Sequence, residues 1–403
     1  ISTIYAEIDA EHSNGNLEVP LKAFFQNMSS LDTKNRTKPN IVLYDDKVNI
    51  DQLRTIYNAL KYPITYVQGP PGTGKTQTIL NIVINGITSN KTILISSNNN
   101  IPIDGIYTKL VLGKYNNKEI LFPILRIGNN KYVGEALRKI KELYEFETND
   151  IPKEELLTKI KEKSRLNNKL LDEQLENLER KFELEQNLEF VQGLIAKGET
   201  YLLNNEKTKI ENAINDLPEI TEDGLKAKFE VIKDNFSLLQ FFYYESLKHI
   251  KRLKTKEYSD LISILYLEKE DDQVKEFNKW IADDTNLEKL VKVFPIILTT
   301  NLSSRKLGKN FKFDLLVMDE AGQCDIATSL IPIAKCKNMV LIGDTNQLKP
   351  IVIFDEARNK RLMNQFEIPE PYDYFNNSIL SVYKQIDNIS RDILLRYHYR
   401  CGK

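Results

Sequence analysis

GPPGTGKT occupies residues 69–76, between the apolar run ITYVQ (64–68) and QTILNIVINGI (77–87). The first flank reads as a buried strand, and the second has the apolar spacing of a helix. The octapeptide is a full Walker A match placed where its chemistry requires. Its glycines let the backbone turn so that N–H groups point inward at phosphates, and the following helix adds its N-terminal partial charge. In this reading Gly69, Pro70, Pro71, Gly72, Thr73 and Gly74 form the cradle. Lys75 reaches the β- and γ-phosphates, and Thr76 ligates Mg²⁺. A phosphate cradle alone fits a kinase, a switch GTPase, a motor or a transporter ATPase, so the rest of the chain must decide.

The chain has 403 residues, enough for two or three domains, with 41% hydrophobic and 28% charged residues. Three cysteines, Cys324, Cys336 and Cys401, are too few and too scattered for a disulfide framework or a CxxC metal site. A reducing cytoplasm is the expected setting. No apolar run reaches the length of a membrane span, and no membrane partner is expected. The net charge of -1 hides an asymmetry: residues 151–290 carry 23 Lys and Arg against 30 Asp and Glu, leaving 33 against 27 elsewhere. The basic part suits a polyanionic partner, although on charge alone solvated surface is the simpler reading. The chain opens on Ile1 and stops at Arg400-Cys401-Gly402-Lys403, as a fragment of a longer protein would.

Strand-like runs TILISS (92–97) and LFPILRI (121–127) follow the P-loop, and PIILTT (295–300), FDLLVMD (313–319) and NMVLIGD (338–344) come much later. This is βαβ grammar and implies an α/β fold with a mostly parallel sheet. Between the two groups, residues 135–290 are rich in Glu, Lys, Leu and Asn. Leu171, Leu175, Leu178 and Phe182 recur as a heptad stripe would. The expectation is a long all-α, coiled-coil-like insertion that reverses near Pro218 and Gly224, with segment 236–253 as the partner of the stripe. A continuous helix over 151–192 would span about 60 Å at ~1.5 Å per residue. An ordinary helical subdomain packed on the body is the alternative. The expected segments are 1–40 of unknown role, 41–134 and 291–394 as two parts of one ATPase domain, 135–290 as the insertion, and 395–403 as the start of a further domain.

Asp319-Glu320-Ala321-Gly322-Gln323 ends one apolar run. Asp319 at the strand end is placed to hold Mg²⁺, and Glu320 to orient or deprotonate an attacking water. A second carboxylate favours hydrolysis over transfer to a small substrate, and no NKxD guanine-reading pattern is present. Gly343-Asp344-Thr345-Asn346-Gln347-Leu348-Lys349-Pro350 ends the next run, and Gln347 is a candidate γ-phosphate sensor. Gly-Asp-Thr-Asn is also ordinary turn chemistry.

In this order, GPPGTGKT, DEAGQ and GDTNQLKP resemble motifs I, II and III of superfamily 1 helicases. DEAGQ resembles the subgroup typified by the nonsense-mediated-decay RNA helicase and its DNA-processing relatives. The resemblance implies a RecA-like P-loop fold, ATP and Mg²⁺ as cofactors, and single-stranded nucleic acid, DNA or RNA, as partner, with 5′-to-3′ movement. NIDQ (49–52) looks like the Q motif, whose glutamine, here Gln52, reads the adenine edge. SSNNNIPID (96–104) is similar to motif Ia, except that Pro102 stands where an alanine is usual. ILTTNLSS (297–304) resembles the next nucleic-acid-contacting motif. On this basis Ser97, Asn99, Asn100, Thr299 and Thr300 are candidate contacts to the nucleic-acid backbone, while helix capping and strand formation account for the same residue types. LLRYHYR (394–400) looks like the start of motif IV, which makes Arg400 a candidate arginine finger and Tyr399 a candidate stacking partner for adenine. Motifs V and VI, in a second RecA-like domain, are absent from these 403 residues. The helical insertion is longer than the family pattern and is a candidate docking arm for a protein partner. A second function therefore stays open: an ATP-driven regulatory switch without unwinding.

Overall fold

The computed structural model describes residues 2–26, 39, 41–43, 48–110, 113–152, 154–198, 201–219, 221, 223–225, 227, 235–352 and 355–399. Its strands are β1 (Ile64–Gln68), β2 (Ile93–Ser97), β3 (Lys114–Tyr115), β4 (Lys118–Glu119), β5 (Ile124–Arg126), β6 (Ile296–Thr300), β7 (Leu315–Met318), β8 (Met339–Gly343) and β9 (Arg391–Leu394). Seven form one sheet in the order β5-β6-β2-β7-β8-β1-β9, and every pairing in it is parallel. β3 and β4 make a separate antiparallel hairpin, turned by Asn116 and Asn117 at φ 48° and 63°. Asparagine tolerates the left-handed backbone that a two-residue hairpin needs.

The apolar runs become strands because both faces of the sheet are covered. Side chains alternate between two cores. Tyr66, Leu94, Leu316 and Leu341 enter one core, and Val67, Ile95, Val317 and Ile342 enter the other. The run 121–127 yields only a three-residue strand starting after Pro123, which lacks the N–H a ladder needs. β9 lies beside β1, with Thr65 opposite Arg391.

Residues 2–26 pack on the first core through Ile8, Leu17, Leu21 and Phe24. Tyr5 Oη donates to the Ala327 carbonyl at 2.7 Å, and Tyr383 Oη to that of Pro20 at 2.8 Å. Between β5 and β6 the chain runs through helices Asn130–Glu145, Glu154–Ala196, Tyr201–Asn215, Asn235–Lys251, Ser259–Leu265, Glu270–Trp280 and Asp284–Val293. Val133, Leu137 and Ile140 join Leu261, Phe277 and Leu287 in the first core, which they share with the sheet. The Glu154–Ala196 helix first turns back at Gly198, whose φ of 105° suits glycine, and Tyr201–Asn215 packs back along it. This reversal precedes the one expected near Pro218.

Leu171, Leu175 and Leu178 are buried, but their seam is not with segment 236–253 alone. They join Ile56 and Tyr57 of the Ile50–Lys61 helix in the second core, together with Phe241. Phe241, Phe242 and Tyr243, within segment 236–253, are buried packing residues.

Candidate nucleotide site and nucleic-acid face

β1 delivers the chain to the phosphate cradle, and a hydrogen bond from Gly69 N to the Gly343 carbonyl at 2.7 Å ties the cradle to the end of β8. Gly72 and Gly74 take φ of 82° and 81°, and Gly74 N-caps the Lys75–Thr88 helix in the left-handed region. A Cβ at Gly74 would meet Gln52 Nε2 at 2.4 Å, the movable end of a side chain, so it is the left-handed backbone that calls for glycine here. Thr73 Oγ1 donates to the Pro70 carbonyl at 2.8 Å and tightens the loop. Thr76 stands in the first turn of the helix.

β7 places the acidic pair beside this loop. Lys75 Nζ lies 3.0 Å from Glu320 Oε1. Glu320 has φ 52°, an uncommon value for a side chain of its size. Its N–H donates to Asp319 Oδ1 at 2.9 Å. Asp319 is buried, and desolvation, followed by the charge of Glu320, pushes its carboxyl up to about 6, against the opposing pull of Lys75. A buried carboxylate that costs energy to ionise is suited to a cation. No group of three or more His, Cys, Asp or Glu side chains is arranged to hold a metal among the described residues. Mg²⁺ takes few protein ligands and completes its shell with phosphates and water. Asp319 and the Thr76 hydroxyl are the residues that would hold it.

The loop after β8 is organised by a residue absent from the sequence-level candidates. Asp344 accepts hydrogen bonds from Gln68 Nε2 at 2.6 Å, Asn346 N at 3.0 Å and Gln347 Nε2 at 3.0 Å. Gln68 Oε1 in turn accepts from Thr345 N and Oγ1. Gln347, the candidate sensor, is thus joined through Asp344 to the residue just before the P-loop. Gly322 and Gly343 let the two acidic loops touch: a Cβ on Gly322 would meet the Asp344 carbonyl at 2.4 Å.

Gln52 approaches the P-loop from the other side. Asn49 and Gln52 form a reciprocal capping box at the start of the Ile50–Lys61 helix. Gln52 Nε2 also donates to the Gly74 and Thr73 carbonyls at 3.3 and 3.4 Å. Tyr399 joins them: its N–H donates to the Gly72 carbonyl at 2.8 Å, and its Oη accepts from Asn49 Nδ2 at 2.7 Å. Arg396 grips the buried Asp51 with both Nε and Nη2, a fork the sequence reading missed. Arg400 lies outside the described residues.

The candidate nucleic-acid contacts divide. Asn99 and Asn100 are exposed at the start of the Asn100–Lys109 helix. Pro102 falls in the first turn of that helix, where its missing N–H costs no helical bond. Asn100 Oδ1 accepts from Arg126, a buried arginine held by Asp104 and stacked 4.0 Å from the Tyr132 ring. Two candidates need correction. Ser97 and Thr299 are side chains of central strands and are 1% and 0% exposed, so neither hydroxyl is presented to an outside ligand. Thr300 is half-buried and donates to Ser303 Oγ at 2.9 Å. Beside it lies an open groove of about 510 Å³ lined by Asn130, Lys131, Leu302, Ser303, Arg305 and Lys306. Ile101 and Leu302 stand exposed on the same motifs. No helix among the described residues is long and apolar enough to cross a membrane.

Sequence comparisons place relatives beside this geometry. An uncharacterized ATP-dependent helicase (MJ0104) of Methanocaldococcus jannaschii is 23% identical over 361 residues, 86% of this chain and 44% of that protein. Helicase SEN1 of Saccharomyces cerevisiae is 26% identical over 352 residues, 78% of this chain and 13% of its own length. The mouse DNA replication ATP-dependent helicase/nuclease DNA2 is 35% identical over 79 residues, 19% of this chain and 7% of its own. The chain therefore spans less than half the length of these relatives. The AAA domain family matches residues 47–355, which include β1, the P-loop, the acidic pair and the β8 loop. The chain belongs to that AAA domain family and, by the order and placement of its motifs, to the superfamily 1 helicases of the SEN1-like subgroup.

Proposed function

We propose that this chain supplies an ATP-hydrolysing core of a helicase or translocase that moves along single-stranded nucleic acid, in the 5′-to-3′ direction. The observation that supports this most is the meeting of Lys75, Asp319 and Glu320 beyond the ends of β1 and β7, on either side of β8, with Lys75 3.0 Å from Glu320. In this reading the cradle 69–76 holds the phosphates, with Thr76 and Asp319 holding Mg²⁺, which neutralises phosphate charge when bound. Glu320 orients the attacking water and takes its proton. Gln347 senses the γ-phosphate through the Asp344–Gln68 link. Gln52 reads the adenine edge, Tyr399 packs beside it, and Arg400 is kept as the finger on the developing charge. Asn99, Asn100, Thr300 and the cationic groove grip a phosphate backbone with little sequence preference.

The test is ATP turnover by the full-length protein with and without single-stranded DNA or RNA. Stimulation of at least tenfold that falls as salt rises is expected. Turnover indifferent to both nucleic acids would favour the second reading, a regulatory ATPase switch. That reading draws on the exposed hairpin formed by the end of Glu154–Ala196 and Tyr201–Asn215, which offers a protein-docking arm.

A further inference from the structure

The Ile50–Lys61 helix is the element that links the long helical arm to the nucleotide site. One end carries Asn49 and Gln52, which bond the P-loop and Tyr399. The flank carries Arg54, whose guanidinium is buried against the Glu154–Ala196 helix. Arg54 Nε lies 2.6 Å from Glu179 Oε1, and the Phe182 ring sits 3.7 Å from its central carbon. Arg54 is 8% exposed and Glu179 only 3%. Two further pairs flank this one: Lys61 with Glu176 at 3.4 Å, and Arg391 of β9 with Glu183 at 3.3 Å.

A buried ion pair resists being drawn apart, because separation leaves a charge without water or partner. Arg54 also holds its fork in one plane, which fixes direction as well as distance. The arm helix and the helix bearing Gln52 are therefore obliged to move together. Beyond the contact, the Glu154–Ala196 helix continues unbroken and Tyr201–Asn215 packs back along it, so a load on this pair of helices is passed inward along one helix.

We infer that Arg54 and Glu179 are positioning residues that couple the hairpin arm to base reading by Gln52. Pulling or binding on the arm changes how tightly the adenine base is held; the phosphate cradle, which Gln52 touches only through the Thr73 and Gly74 carbonyls, is affected less. This rests on the proposed role of Gln52 and extends it to control from a distance.

The experiment measures binding of ATP, ITP and tripolyphosphate to the full-length protein, for the parent, Gln52→Ala, Glu179→Gln and Phe182→Leu. Glu179→Gln keeps shape but removes the charge; Phe182→Leu keeps both charges and removes the ring. The inference expects Glu179→Gln to weaken ATP about tenfold, to bring the ATP-to-ITP preference close to that of Gln52→Ala, and to leave tripolyphosphate binding within twofold. Phe182→Leu should move the preference the same way by about threefold, and it serves as the deciding variant if Glu179→Gln does not fold. Parent-like base preference in the folded variants overturns the coupling, as does an equal loss of tripolyphosphate binding. If Gln52→Ala itself leaves the preference unchanged, the reading of Gln52 fails instead, and the coupling with it.

Discussion

Lys75 and Glu320 face each other at 3.0 Å across the gap between the P-loop and the loop after β7. The lysine assigned to phosphate thus touches the carboxylate assigned to water. Glu320→Gln should retain ATP binding and lower turnover of the full-length protein by 10²-fold or more, within the range of general-base losses. Lys75→Ala should abolish turnover through lost phosphate binding. Single-turnover kinetics with a separate binding measurement checks both; a Glu320→Gln enzyme at the parent rate would sink the assignment.

Asp319 carries a stability penalty that its replacement should reveal. Burial, and after it the charge of Glu320, push its carboxyl up to about 6 in the folded chain, above the ordinary aspartate value of about 3.9. Because the folded state holds this proton more tightly, stability falls as pH rises from about 4 to about 6 and is then flat. At pH 7 the nucleotide- and Mg²⁺-free Asp319→Asn chain should be more stable than the parent by about 2–3 kcal/mol. Urea melts at pH 4 and pH 7 test this, and a variant less stable than the parent at pH 7 would contradict it.

Gly322→Ala should be costly at a position with ordinary φ. The new Cβ would fall 2.4 Å from the Asp344 carbonyl and 2.9 Å from its carbon, and backbone cannot swing away as a side chain can. A loss of about 1–3 kcal/mol is expected for such overpacking. Denaturant midpoints of the two chains give the answer, with equal midpoints counting against the close approach of the two loops.

Leu175→Ala should lower stability by about 2–5 kcal/mol, the range for a truncated core leucine. Since Leu175 shares a core with Ile56 and Tyr57, the loss should reach the Ile50–Lys61 helix and weaken nucleotide binding. Selective melting of the arm with unchanged nucleotide binding would show that the seam is independent of the body.

The parts of the fold legible in sequence were those fixed by local composition. β1, β2, β6, β7 and β8 are buried on both faces and read as mainly apolar runs, and the P-loop is specified by its own eight residues. β9 is Arg-Asp-Ile-Leu, and a strand half made of charges gives no such signal. Asp344 and Gln68 stand 276 positions apart, so their bond leaves no trace in spacing. The capping box was present in NIDQ, yet the same Gln52 amide also suits base reading, and local pattern alone does not tell whether one residue serves both. Ser97 and Thr299 misled for the opposite reason: their motifs lie at the site, but both faces of the sheet are covered there, so these two side chains are buried, one on each face.

The rims of the sheet also govern how copies of this chain behave toward one another. β5 is three residues long, and β9 carries Arg391 and Asp392, engaged by Glu183 and Lys384. A short rim and a charged rim both discourage a foreign strand from adding to the ladder. Concentrated solutions should therefore resist edge-to-edge aggregation, and replacing both charges of β9 with valine should create the fibre-prone border that the native chain avoids.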